Sequence, residues 1–135
     1  MNNFADSFKA LERAKDTLET SEHDLKGGFT LAAVNRAYYA MFYCMSTLLF
    51  TENLYAKSHK GVLIKYEELF VKTERMPKQT SLWVRTAFNL RQEADYDFEA
   101  VVTEEEAQII LVNARNFYEL TKNYFQIFIK TRSID

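Results

Sequence analysis

The chain has 135 residues, the size of one domain, and at that size a core hides roughly two-thirds of the unfolded surface, so neither a disulfide nor a metal is needed as a staple. Its 47% hydrophobic content, with eleven Phe and eight Tyr, excludes a disordered chain. The net charge of −2 excludes a protein that coats nucleic acid through bulk positive charge, although a local basic patch stays open.

The stretch MNNFADSFKALERAK brings charges too early for a secretory leader. Phe4, Phe8, Leu11, Ala14, Leu18 and Leu25 then recur at helical steps, one stripe of an amphipathic helix. Lys26-Gly27-Gly28 ends it, since glycine takes a left-handed cap cheaply. A second helix, from about Thr30 to about Glu52, is apolar nearly all round and so belongs at the centre. No apolar run reaches the roughly 18 residues of a membrane span. A cytoplasmic protein is the expectation.

After a polar connection, a third helix is expected from about Ser58 to Thr73, with Val62, Leu63, Tyr66, Leu69 and Phe70 on one side. Pro77 suits the first turn of a fourth helix, where its missing N–H is not needed. Trp83, Ala87, Leu90 and Ala94 line its face, and Ala94 to Val102 reads as a loop. Thr103 and Glu106 form a capping box that opens the last helix, whose stripe is Ala107, Ile110, Leu111, Ala114, Phe117, Thr121 and Phe128. Few Gly and Pro and short connections make this an all-α, up-and-down bundle of about five helices in one domain over residues 1–135.

Three groups of residues could carry chemistry. Arg36, Tyr39, Ala40 and Tyr43 share one face of the second helix, three, four and seven residues apart. A guanidinium there is a fork of donors suited to phosphate or carboxylate. It either lines a cleft or pairs with an acid of a neighbouring helix. His59 falls at the start of the third helix between Lys57 and Lys60, where an anion could be held. Alternatively Ser58 simply caps that helix and His59 orders the loop. Arg91 can pair with Asp95 one turn on, or face the same cleft as Arg36. The other histidine, His23, lies in a charged surface stretch, and Cys44 and the methionines read as core filling. The single cysteine gives no metal motif, and no metal or other cofactor is expected.

The segment FTLAAVNRAYYAMFYCMSTLL, Phe29 to Leu49, resembles the second helix of small prokaryotic HEPN proteins (higher eukaryotes and prokaryotes nucleotide-binding domain), in which a stretch of the type A-x-S-R-A-Y-Y-A-M-F-H recurs. Lys57 to Thr73 resembles the K-T-H-K-G entry to helix three of that branch, and Ala87 to Phe98 its L-R-x-x-A-D-Y stretch. The resemblance covers nearly the whole chain in order. It implies a helical bundle that forms a homodimer. It also implies a relation to metal-independent RNases whose signature is an arginine, a short spacer and a histidine, two copies facing each other across the dimer cleft. Many such proteins are toxins or defence components paired with a small nucleotidyltransferase as antitoxin.

On that resemblance Arg36 matches the family arginine, and Tyr43 stands where the histidine would be. Metal-free RNA cleavage needs a group that takes a proton from a 2′-hydroxyl, and histidine does so because it titrates near neutrality. A phenol, with a reference pKa of about 10, is a poor base at pH 7. The expected function is therefore RNA or nucleotide handling in a toxin–antitoxin or defence pair, with RNase activity weakened or lost. Arg36, Tyr39, Lys57, His59, Lys60 and Arg91 are the candidate binding residues. The alternatives are an active endoribonuclease that uses His59 or Tyr43, and a non-catalytic module that binds a nucleotidyltransferase.

Overall fold

The computed structural model describes residues 4–133. Five α-helices follow one another: α1 (Ala5–Lys26), α2 (Thr30–Thr51), α3 (His59–Tyr66), α4 (Lys78–Tyr96) and α5 (Glu104–Ser133). No strand occurs among the described residues.

α2 is the axis of the bundle and packs against each of the other four helices. Three of its four alanines, Ala33, Ala37 and Ala40, are buried on the same helix as Val34, Met41, Met45, Leu48 and Leu49, as a helix apolar nearly all round requires. Cys44 is wholly buried there, and burial pushes its thiol up to about 12, so it is inert packing. α1 lies antiparallel on α2. Its inward face is narrower than the Phe4–Leu25 stripe, because Ser7, Ala10, Ala14, Leu18, Ser21 and Leu25 are the buried residues. Small side chains let the two backbones approach, and the serines are satisfied across the gap: Ser7 Oγ donates to the Thr47 carbonyl at 2.9 Å and Ser21 Oγ to the Ala33 carbonyl at 2.7 Å. Phe4 and Phe8 turn instead to the end of α5, edge-on to Phe128 and Phe125 with centroids 5.1 and 4.9 Å apart.

The helix ends follow local chemistry. Past α1, Gly28 sits at φ 84°, where a side chain is strained, and the Phe29 and Gly28 amides close back on the Asp24 and Leu25 carbonyls at 2.9 and 3.1 Å. Asn53, at φ 59°, ends α2 with the same pair of bonds. Ser58 caps α3 by accepting from the Gly61 amide at 2.9 Å. Thr103 and Glu106 satisfy each other's amides, both at 3.0 Å.

Three boundaries depart from the expectation. α4 continues through Tyr96, so the loop begins at Asp97 rather than Ala94, and Pro77 is the residue before the helix rather than in its first turn. The third helix stops being α at Tyr66 and widens into a π-helical turn, Glu67–Val71. The wider turn faces Tyr66 and Phe70 inward as a stacked pair, 5.9 Å apart, while Glu67 reaches across to Ser81 and Arg85 of α4. The Tyr66 hydroxyl bonds Thr80 Oγ1 at 2.6 Å, a second tie between these elements.

Candidate functional site

The Arg36 face of α2 meets the start of α3 and the middle of α4. Ser58 turns the chain into α3 so that the His59 ring lies over Phe42, centroids 4.3 Å apart. His59 Nδ1 and the Tyr38 hydroxyl share a hydrogen bond of 3.1 Å. Tyr39 stands edge-on to the imidazole at 5.4 Å. From α4, the Arg91 guanidinium lies 5.1 Å from the Tyr38 ring centre and 5.4 Å from that of Tyr39. Arg36 reaches the same Tyr39 ring at 5.0 Å. Two guanidiniums therefore share one phenol face or edge, a cation–π arrangement worth about 0.5–1 kcal/mol at an exposed site.

Neither Arg36 nor Arg91 is ion-paired among the described residues. The pairing of Arg91 with Asp95 does not form; Arg91 turns to the tyrosines instead, and Asp95 stays exposed. Arginines held by rings rather than by carboxylates keep their donors for another oxyanion. Asn35, on the same face one turn before Tyr38 and Tyr39, has a buried Oδ1 with no hydrogen-bond partner among the described residues.

Burial, and after it the Arg91 guanidinium, holds the His59 imidazole below the ordinary histidine value of 6.5. His59 is thus neutral at pH 7 and able to accept a proton. Burial raises Tyr38 against the opposing pull of Arg91, so its hydroxyl stays protonated beside that imidazole. A pocket of about 370 Å³ opens at this point, bounded by Tyr38, His59, Lys60, Leu63, Phe88 and Asn89 among others. Arg85, also in its wall, is bound to Glu67 at 2.6 Å, which leaves Lys60 as the cation of that wall without an acid among the described residues.

Of the residues singled out from sequence, Arg36, Tyr39, His59 and Arg91 come together, Lys60 flanks them, and Tyr43 sits behind Tyr39 with centroids 6.5 Å apart. Lys57 is exposed and outside the pocket wall. His23 is on the surface, 4.0 Å from Asp24. Sequence reasoning missed Tyr38 and Phe42, which hold His59 in place. The only signal was that both lie within a turn of Tyr39 on a helix apolar all round.

The HEPN domain model matches residues 9–124. The chain belongs to the HEPN family. Among similar proteins, one from Methanocaldococcus jannaschii named "Putative toxin MJ0142" is 38% identical over 116 residues, 86% of this chain and 79% of its own. A second from that organism, "Putative toxin MJ0605", is 33% identical over 112 residues, 83% of each chain. A UPF0332 protein of Thermotoga maritima is 38% identical over 94 residues, 70% of each chain. In this HEPN chain the arginine of α2 is thus placed over an aromatic ring beside a neutral histidine that comes from α3, while Tyr43 holds the α2 position two turns after Arg36. No described helix is long and apolar enough to cross a membrane.

Proposed function

We propose that this HEPN protein is a toxin-type RNA-binding protein that holds backbone phosphate through Arg36 and Arg91, with cleavage weakened because Tyr43 stands where a histidine is expected. The observation that carries the reading is the pair of guanidiniums on Tyr39, with no carboxylate on either among the described residues. Such a spot is a focused positive field on a protein of net charge −2, and a few phosphate contacts suffice to fill it. The aromatic side chains grouped beside it suit the faces of unpaired bases, so single-stranded RNA is the ligand class. In the cytoplasm the protein would be held in check by a nucleotidyltransferase partner. Titration of a fluorescent single-stranded RNA, followed by anisotropy, tests the reading; an unchanged signal at saturating protein sinks it.

The functional unit is a homodimer that brings the two Arg36 side chains to one groove. A C2 pair presents every residue twice, and it is the commonest closed symmetry. Light scattering should give twice the 15.9 kDa chain mass at micromolar concentration; a monomer there removes the shared groove from the proposal.

The position of His59 favours a second reading, an endoribonuclease in which its neutral imidazole takes the 2′-hydroxyl proton while Arg36 and Arg91 hold the phosphate. The sign of the pH dependence follows from the lowered pKa. Any cleavage through His59 should persist below pH 6.5 and fall only as pH drops through the lowered value. Folding follows the same direction. The unfolded chain binds the His59 proton more readily, so this contribution to stability is complete above 6.5 and is lost as pH falls through the folded pKa. Imidazole proton shifts followed by NMR should place the His59 midpoint under 6.5; a midpoint above it contradicts the depressed value.

A further inference from the structure

Phe42 packs against the His59 ring and also lines a second pocket, of about 380 Å³, on the α1 side of the site. The walls of this pocket bring Lys9 and Arg13 from α1, Tyr43 from α2 and Tyr55 from the α2–α3 connection. The rest of its lining is mostly apolar and includes Leu49 and Phe50, the latter stacked on Tyr55 at 4.6 Å. Val62 lines this pocket and Leu63 lines the one beside His59. Phe42 lines the one pocket and His59 the other, so this pair of rings, 4.3 Å apart, forms the ridge between two pockets of nearly equal size. Both pockets fall in the range of about 300–1,000 Å³ typical of small-ligand sites.

The charges on the α1 side select the ligand. Lys9 and Arg13 are exposed, and neither is ion-paired among the described residues. Asp6 is the one acid among the described residues of the wall, and its carboxylate accepts the Tyr55 hydroxyl at 2.7 Å. Two cations against one engaged carboxylate repel an organic cation. An anion without a flat apolar body would leave the aromatic lining of Phe42, Tyr43, Phe50 and Tyr55 unused. A nucleotide meets both demands, with phosphate at the rim and base against the rings.

We propose that this pocket is a second nucleotide subsite: a single RNA strand crosses the Phe42–His59 ridge with one base on each side, and Lys9 and Arg13 hold the phosphate of the nucleotide on the α1 side. The proposal rests on the RNA reading above and adds the path of the strand. It also gives Tyr43 a place, since that ring lines the subsite and touches Tyr39 at the same time. A strand bent over such a ridge is pulled out of its own stack, and the rings replace the stacking it gives up.

The test uses the full chain and the trinucleotide UpUpU, titrated over a range of salt concentrations. The Lys9→Ala/Arg13→Ala double variant should weaken binding about tenfold or more, and the slope of log affinity against log salt should fall by about 0.7 for each phosphate no longer held. Lys9→Arg/Arg13→Lys should retain most of the affinity, because the charges remain. Both positions are solvent-exposed on α1, so the variants should keep the helical signal of the wild type. If UpUpU affinity drops in Arg36→Ala but is unmoved in the Lys9/Arg13 double variant, the subsite is wrong and the RNA reading stands. If the wild type binds no UpUpU, both fall together.

Discussion

Replacing Tyr43 with histidine should raise metal-free cleavage of single-stranded RNA by about 10²–10⁴-fold, the usual contribution of one general acid–base group. The exchange is structurally mild. Tyr43 is half-buried, and its hydroxyl has no hydrogen-bond partner among the described residues, so its removal strands nothing. Its ring packs on Tyr39 and Phe42 at 6.5 and 5.8 Å, and an imidazole can largely keep that packing. The new imidazole would lie one ring away from the two guanidiniums, on the side from which it could take the 2′-hydroxyl proton of the ribose joined to a phosphate held there. Cleavage is read from a fluorogenic RNA in the presence of a chelator. Robust cleavage by the wild type that disappears in His59→Ala gives the proton transfer to His59 and overturns the view of Tyr43 as the missing base. No gain in Tyr43→His, with RNA binding intact, means that the α2 position does not face the scissile bond.

What could be read from sequence, and what could not, divides along the range of the interactions involved. Gly28, Ser58 and the Thr103–Glu106 box act within a few residues, so their roles follow from residue type and spacing alone. The central place of α2 follows from an apolar circumference that no water-facing helix carries. The inward serines of α1 were hidden because their acceptors are carbonyls 40 and 12 residues away, and periodicity of apolar residues says nothing about them. Arg91 shows the same limit. The spacing to Asp95 permits an ion pair, but two tyrosine rings on the opposing helix, Tyr38 buried and Tyr39 half-buried, offer the guanidinium a different surface, and that choice is made by tertiary packing. The π-helical turn after Tyr66 likewise answers to α4, through Thr80, Ser81 and Arg85, rather than to any local propensity. At the site itself, Arg36 and His59 could each be suspected from sequence. That they share Tyr39 as a common neighbour could not, because α3 begins only after a connection whose path Ser58 and Tyr55 set.

Arg36→Ala should weaken single-stranded RNA binding by about 10–100-fold, the equivalent of about 1.5–3 kcal/mol for hydrogen bonds to a charged group. Stability should hardly move. Arg36 touches the Tyr39 ring at 5.0 Å and no carboxylate among the described residues, so its removal costs a cation–π interaction of about 0.5–1 kcal/mol. Had it been buried against an acid, removal would strand that charge and cost about 3–5 kcal/mol. The two origins of a binding defect are thus separable by measuring anisotropy and thermal unfolding on the same sample. Arg36→Lys should recover only part of the affinity, since an ammonium keeps the charge but lacks the planar fork that grips two phosphate oxygens. Arg91→Ala should resemble Arg36→Ala in affinity, and the double variant should weaken binding by less than the sum of the two, because both guanidiniums lie on one ring and, in the proposed reading, would address one phosphate. The salt dependence of wild-type binding should be shallow for a nucleic-acid protein, each phosphate held adding about 0.7 to the slope. Full RNA affinity in Arg36→Ala would remove the arginine from the site and leave it as a partner of Tyr39 alone.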